Sequence, residues 1–265
     1  MKKNIRFLSA ALALMLVFAS AIGAETVTLQ KTVNWYCTHT TGGRQPSLPA
    51  DFPYLEKHGG YFIDHTHKTM DDEKVIYLTF DAGYENGNVE KILDVLKEED
   101  VKGAFFILAN LAKLNPDLVK RMAGEGHLVC NHTASHKDMT RLTDISEFRA
   151  ELEKMERICY QETGVKMAKY YRPPEGKVTE QNLVFAEELG YKTILWSFAY
   201  ADWDNKHQMS EEAAIKKLTD GLHNGEVLLL HPTSETNAAI LGRLIRTWKE
   251  QGFRFGTLDE LTGRS

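Results

Sequence analysis

From residue 75 to the end of the chain, short apolar runs alternate with longer segments whose apolar residues recur at helical spacing. Val75-Ile76-Tyr77-Leu78-Thr79-Phe80 is β-branched and aromatic, the composition of a buried strand. In the next segment Val89, Ile92, Leu93 and Leu96 share one face of a helix. The same pattern predicts strands at 104–108, 128–130, 169–171, 193–196, 227–230 and 253–255. Further helices are predicted from Asn115-Pro116, a cap followed by a first-turn proline, and over 145–162, 179–189, 211–223 and 238–251. Residues 25–73 lack this texture and are broken by Thr41-Gly42-Gly43, Pro46, Pro49 and Pro53. Within them Gly60-Tyr61-Phe62-Ile63 has the character of an edge strand.

Helical crossovers join parallel strands, so about seven strands in such a series make one α/β domain. A closed barrel and an open doubly wound sheet both fit the alternation. No strand is followed by Gly-x-Gly-x-x-Gly, which argues against a dinucleotide site and favours a (β/α) barrel of fewer than eight units.

The start of the chain stands apart. Lys2, Lys3 and Arg6 precede the apolar run from Phe7 to Phe18, and small residues follow at Ala19-Ser20-Ala21 and Ile22-Gly23-Ala24. Residues 1–24 therefore read as a signal peptide for export, too short in its apolar part to be a membrane span. The formal net charge of −5 and pI near 6.1 argue against nucleic acid as a partner. Cys37, Cys130 and Cys159 are an odd number for an exported protein; they allow at most one disulfide, Cys130–Cys159 among the options, and otherwise read as small buried residues.

The reactive side chains gather after the predicted strands. Asp81 ends the first, His132 and His136 follow the third, Arg172 ends the fourth, Asp202 follows the fifth and His231 ends the sixth. Parallel barrel strands end on one face, where active sites are built. Thr79-Phe80-Asp81-Ala82-Gly83, His132-Thr133-Ala134-Ser135-His136, Arg172-Pro173-Pro174-Glu175-Gly176, Asp202-Trp203 and Leu230-His231 resemble, in order, the motifs of the polysaccharide deacetylase family. The resemblance, to the NodB-homology domain, covers roughly residues 74–256. It implies a distorted (β/α) barrel of about seven parallel strands as a single domain over 74–265, on which 25–73 would pack. The run Tyr77 to Gly87 is most similar to the delta-lactam-biosynthetic branch, which deacetylates muramic acid.

Amide hydrolysis needs an activated water, a stabilised oxyanion and a proton for the departing amine. By resemblance Asp81 is the general base with Arg172 as its partner, and His231 is the general acid oriented by Asp202. Trp203, Tyr84, Pro174, Glu175 and Gly176 are expected to contact the glycan. Tyr170, Tyr171, Trp196 and Tyr200 offer further apolar faces for sugar rings. The family's His-x-x-x-His pair, here His132 and His136, implies a divalent metal, zinc first, but its third ligand is an aspartate where this chain has Ala82. Glu85 or Asn86 could substitute, the ion could be weakly held, or the two imidazoles could bind sugar hydroxyls instead. Glu175 also departs from the tyrosine of many relatives; in the family that residue's backbone N–H holds the oxyanion. His65-Thr66-His67 resembles a metal clip but reads as two exposed loop histidines.

The expected activity is that of an exported N-deacetylase acting on N-acetylmuramic acid in peptidoglycan during spore cortex formation. The expected protein is a monomer at the cell wall or spore envelope. A deacetylase of chitin oligomers or xylan is the alternative within the enzymes. A non-catalytic wall-glycan-binding protein is the alternative outside them.

Overall fold

The computed structural model describes residues 31–69, 71 and 73–264. The segment read as a signal peptide lies outside the described residues. The strands are β1 (Val33–Asn34), β2 (Gly60–Tyr61), β3 (Lys74–Ala82), β4 (Ala104–Ile107), β5 (Leu128–Asn131), β6 (Tyr170–Tyr171), β7 (Lys177–Val178), β8 (Lys192–Ile194), β9 (Glu226–Leu230) and β10 (Phe253–Phe255). The helices are α1 (Tyr54–Lys57), α2 (Asn88–Glu98), α3 (Ala109–Leu114), α4 (Pro116–Gly124), α5 (Ile145–Thr163), α6 (Glu180–Glu188), α7 (Glu211–Asp220), α8 (Glu235–Glu250) and α9 (Leu258–Thr262). None of the helices among the described residues is long and apolar enough to cross a membrane.

Eight strands form one parallel sheet in the order β10-β3-β4-β5-β6-β8-β2, with β9 pairing the opposite edge of β3 from β10 and β4. The curled sheet returns on itself across a narrow seam: Phe198, beyond β8, makes a single parallel bridge to Leu228 of β9. This is the expected distorted barrel, closed at the seam by isolated bridges instead of a ladder. β3 runs through its centre because both of its faces are apolar. Val75 and Tyr77 point into the barrel with Ala104, Phe106, Cys130, Tyr170, Ile194 and Val227. Ile76, Leu78, Phe80 and Ala82 point to the helix layer, against Val89, Leu93, Leu241 and Trp248. Each fully buried Leu, Ile or Phe of these layers stabilises the fold by about 1.5–3 kcal/mol.

Several of the longer helices start where the sequence supplies a side-chain cap. Asp144, Thr179, Ser210 and Ser234 each accept a hydrogen bond from a backbone N–H in the first turn that follows. Helix α5 stops at Gly164, which takes the left-handed conformation at its C-cap.

The segment before β3 is more ordered than its texture suggests. β2 pairs in parallel with β8, and β1 pairs antiparallel with β7. Trp35, Phe52, Leu55, Phe62 and Ile63 form their own core with Val178, Leu183 and Leu195. A boundary at residue 74 therefore divides one sheet; strands of two residues are too short to show a period. The three cysteines are free, Cys130 and Cys159 buried and Cys37 partly exposed, so no Cys130–Cys159 bridge forms. His67 is not an exposed loop residue: its Nδ1 lies 2.8 Å from the buried Asp64 carboxylate, which also accepts from Tyr77 at 2.5 Å.

Candidate active site

Strand register brings the reactive residues to one level. Phe80 is paired with Leu230, so Asp81 and His231 follow side by side. Ala82 is in register with Ile107, Ile107 with Asn131 and Asn131 with Tyr171, which sets His132 and Arg172 at the next step of neighbouring strands. Above them lies a cavity of about 620 Å³, a size suited to a small ligand or a saccharide unit. Asp81, Tyr84, His132, His136, Glu175, Gly176, Trp203 and His231 line it, with Leu108, Trp196, Tyr200 and Leu229 among the apolar wall.

Arg172 is sealed beneath the cavity floor. It stacks 4.1 Å over the Phe106 ring and donates to Asp81 Oδ1 and to Thr79 Oγ1, both at 2.9 Å. Its Nε donates to the Ile194 carbonyl at 2.9 Å, which fixes the guanidinium plane. Burial works to raise the Asp81 pKa, but the charge of Arg172, with its hydrogen bond and the charge of His231, outweighs it and holds the carboxyl below its ordinary range. Asp81 is thus ionised, with Oδ1 occupied and Oδ2 toward His132.

His231 is held with equal care. Its Nδ1–H donates to Asp202 Oδ1 at 2.7 Å, and its backbone N–H donates to Oδ2 at 2.8 Å. Asn237, in the first turn of α8, donates to the same Oδ2 at 2.6 Å. Burial would lower the His231 pKa, but Asp202, with help from Asp81, raises it above the usual imidazole value. With Nδ1 pinned to the buried carboxylate, the proton-bearing Nε2 is the nitrogen left for the cavity.

His132 has the opposite character. Its Nδ1–H donates to the Arg172 carbonyl at 2.9 Å, and burial pushes its pKa down to about 4, so the ring is neutral. Its Nε2 lone pair is 3.6 Å from Asp81 Oδ2. His136 stands beside it, ring centroids 5.0 Å apart, on a loop where Thr133 and His136 both take left-handed backbone conformations. Such residues are uncommon outside glycine and gather at functional sites.

The donor set does not fit a metal ion held by three protein ligands. Ala82 is fully buried in the helix-side cluster. Glu85 does not reach the cavity: it accepts from the Gly87 N–H at the start of α2. Asn86 donates to the Thr233 carbonyl at 2.8 Å. Among the described residues, no group of three or more His, Cys, Asp or Glu is arranged to hold a metal. His132 and His136 are left as two imidazoles facing the cavity.

The matching family model is described as "Polysaccharide deacetylase" and covers residues 68–194. The peptidoglycan-N-acetylmuramic acid deacetylase PdaA of Bacillus subtilis is 36% identical over 250 residues, 94% of this chain and 92% of that protein. The chain belongs to the polysaccharide deacetylase family. A peptidoglycan-N-acetylglucosamine deacetylase of Bacillus cereus is 32% identical over 214 residues, covering 79% of this chain and 74% of the relative. The solved structure of Bacillus subtilis PdaA, described as a family 4 carbohydrate esterase, superposes with a TM-score of 0.81. It is 36% identical and covers 87% of this chain and 97% of its own. As a member of this family the protein is a hydrolase, and its single-domain curled barrel is the fold of that solved relative.

The remaining expected contacts divide. Trp203 is 63% exposed, with its ring 6.4 Å from that of His231, so it stands at the mouth and not in the core. Tyr84, 45% exposed, accepts at its hydroxyl from Asn205 at 2.7 Å. Pro174 is buried behind the wall and shapes the turn that presents Glu175 and Gly176. Tyr170 and Tyr171 offer no face to a sugar: one fills the barrel interior and the other packs under α5. Adjacent strand residues face opposite ways, and both sides of β6 are covered. Two supporting residues were given no role by the motifs. Thr79 sits two before Asp81 on the same strand face, so the period of two identifies it. Asn237 is brought in by the packing of α8, and nothing local in the sequence marks it.

Proposed function

We propose that this protein is an exported peptidoglycan deacetylase that hydrolyses the acetamide of N-acetylmuramic acid. The freed amine would then close onto the lactyl carboxyl, with loss of water, as the delta-lactam of spore cortex. The observation that carries the reading is the pairing of an ionised Asp81–Arg172 with a proton-bearing His231–Asp202 around one cavity. The 36% identity to a muramic acid deacetylase over nearly the whole chain supports the substrate class.

In this reading the acetamide carbonyl enters between the two pairs. Asp81 takes a proton from water as its oxygen bonds to the carbonyl carbon. The charge that develops on the carbonyl oxygen is assigned to the backbone N–H of Glu175 on the cavity wall. His231 Nε2 gives its proton to the nitrogen as the C–N bond breaks, so acetate and a free amine leave. The apolar side chains of Leu108, Trp196 and Leu229 exclude water around the methyl end. No step is routed through a metal ion, because the donor set present does not supply its third ligand.

Glycan strands stripped of stem peptides, incubated with the purified protein, test the proposal. Acetyl loss from muramic acid, read by mass spectrometry with released acetate, is the expected result, and Asp81→Asn should abolish it. Acetyl loss confined to glucosamine, chitin oligomers or xylan would reassign the substrate. Binding without any product would make the protein a wall-glycan binder. Repeating the reaction with a chelator reads any contribution of an ion at His132 and His136.

A further inference from the structure

Among the described residues no Lys or Arg lines the cavity: its wall carries the carboxylates of Asp81 and Glu175, three imidazoles, and aromatic and aliphatic groups. Arg172 is fully buried and committed to Asp81. A sugar that brings its own carboxylate therefore meets no ammonium or guanidinium on the wall itself; the His231 imidazolium there is already paired with Asp202. A cation reaches the wall from beside it. Lys177 Nζ lies 2.6 Å from Glu175 Oε2, and both side chains are partly in water, 32% and 59% exposed. Among the charges that act on this ammonium, Glu175 comes first and Asp138 adds to it.

The backbone explains why the pair sits there. Glu175 has φ 56 and ψ 13, and Gly176 follows at φ 65, two left-handed residues in succession. For a glutamate, which carries a Cβ, this conformation is strained. The turn lays the Glu175 side chain on the cavity wall. Immediately after it Lys177 enters β7, in register with Asn34 of β1. The cation is thus fixed on a strand and tethered to the cavity by one carboxylate.

We propose that Lys177 recognises the lactyl carboxylate of muramic acid, and that Glu175 occupies that carboxylate's place in the free protein. This rests on the muramic acid reading above and sharpens it. It names the residue that separates muramic acid from N-acetylglucosamine, which has no lactyl group. On binding, one carboxylate replaces another at the same ammonium, so no charge is left buried and unpaired. Because the pair is at the rim, its contribution is to selection among substrates more than to overall affinity.

The test uses stripped glycan strands with the lactyl carboxylates either free or converted to methyl amides. Acetyl loss from muramic acid gives kcat/KM for the native protein, Lys177→Met, Lys177→Arg and Glu175→Gln. Amidation should lower the native kcat/KM about tenfold, through KM. Lys177→Met should cause a similar loss on free-carboxylate strands, and amidation should then have no further effect. Lys177→Arg should keep most of the native preference, and Glu175→Gln should increase it by removing the competing carboxylate. Losses that multiply independently, or no loss from either change, would overturn the assignment of Lys177 while leaving the muramic acid reading intact. A native protein that removes no acetyl from muramic acid in either form would overturn both.

Discussion

Replacing Asp202 by Asn changes one oxygen to an amide nitrogen in a carboxylate that accepts three hydrogen bonds. These come from His231 Nδ1, the His231 backbone N–H and Asn237 Nδ2, at 2.7, 2.8 and 2.6 Å. Either orientation of the new amide sets its NH₂ against a donor, and the site is almost fully buried. A donor left facing a donor costs about 1–3 kcal/mol of stability. The effect on the chemistry is larger. Burial lowers the His231 pKa and Asp202 is what raises it, so without the charge the pKa falls. A general acid works in its protonated form, so the loss appears at the alkaline side of the profile. The ring also loses the partner that keeps the proton on Nδ1 and aims Nε2 at the cavity. Together these should lower kcat about 10²–10⁴-fold at pH 7. The assay is acetate release across pH 5–9, with thermal unfolding of the variant measured alongside. An alkaline limb that stays in place, with kcat within about threefold of native, would refute the role given to Asp202.

Three further outcomes are expected. Glu226 is fully buried at the seam, accepts from the His223 backbone N–H at 3.1 Å through one oxygen, and has no partner for the other. Burial raises its pKa well above 4.5, so above about pH 4.5 the unfolded chain ionises while the folded one does not. Stability should then fall as pH rises, by up to about 1.4 kcal/mol per unit, and Glu226→Gln should flatten that slope in denaturant titrations at pH 5 and 8. Gly176→Ala would put a Cβ 2.8 Å from the Trp196 ring and 3.1 Å from Trp35 Cβ, at a φ of +65. It should cost about 2 kcal/mol or more and raise KM; an unchanged Tm and KM would contradict the tight packing of this wall. Ala82→Asp would place a carboxylate in the apolar helix-side cluster, at the position of the family's third ligand, so its Tm should drop in chelator and recover with zinc if the side chain turns to His132 and His136. A variant indifferent to zinc would show that position 82 alone does not complete an ion site.

Much of the site was legible because its residues are tied to strand ends. Asp81, His132, Arg172 and His231 each follow an apolar run whose length and composition mark a buried strand, and parallel strands carry their ends to one face. Lys74–Ala82 and Glu226–Leu230 are the clearest cases, since both are apolar on two sides. What was not legible depends on packing between distant segments. β1 and β2 are two residues each and exist through their partners β7 and β8, which no local period encodes. Tyr170 and Tyr171 could have faced a sugar or the core, and α5 and α9 decide for the core. Asn237 serves Asp202 because α8 packs its first turn over the end of β9, a tertiary choice its own neighbours in sequence do not reveal.

The opposed pKa directions at Asp81 and His231 also constrain how the reaction can run. In the roles proposed above, a base held below its usual pKa and an acid held above its own are both in the working form over a wide span around neutrality. The same shift makes Asp81 a weaker base toward water, since basicity falls with pKa. Full removal of a proton from water before attack would therefore be costly here. The cost is smallest if proton transfer, attack on the carbonyl and charge stabilisation advance together. That requires the groups to be held rigidly at once, and the structure supplies this. Arg172 fixes one carboxylate oxygen while its own plane is fixed by Ile194, Thr79 and Phe106. Asp202 fixes His231 by two hydrogen bonds while Asn237 fixes Asp202. In the proposed mechanism orientation takes the place of intrinsic basicity, which gives the buried partners around Asp81 and His231 their purpose.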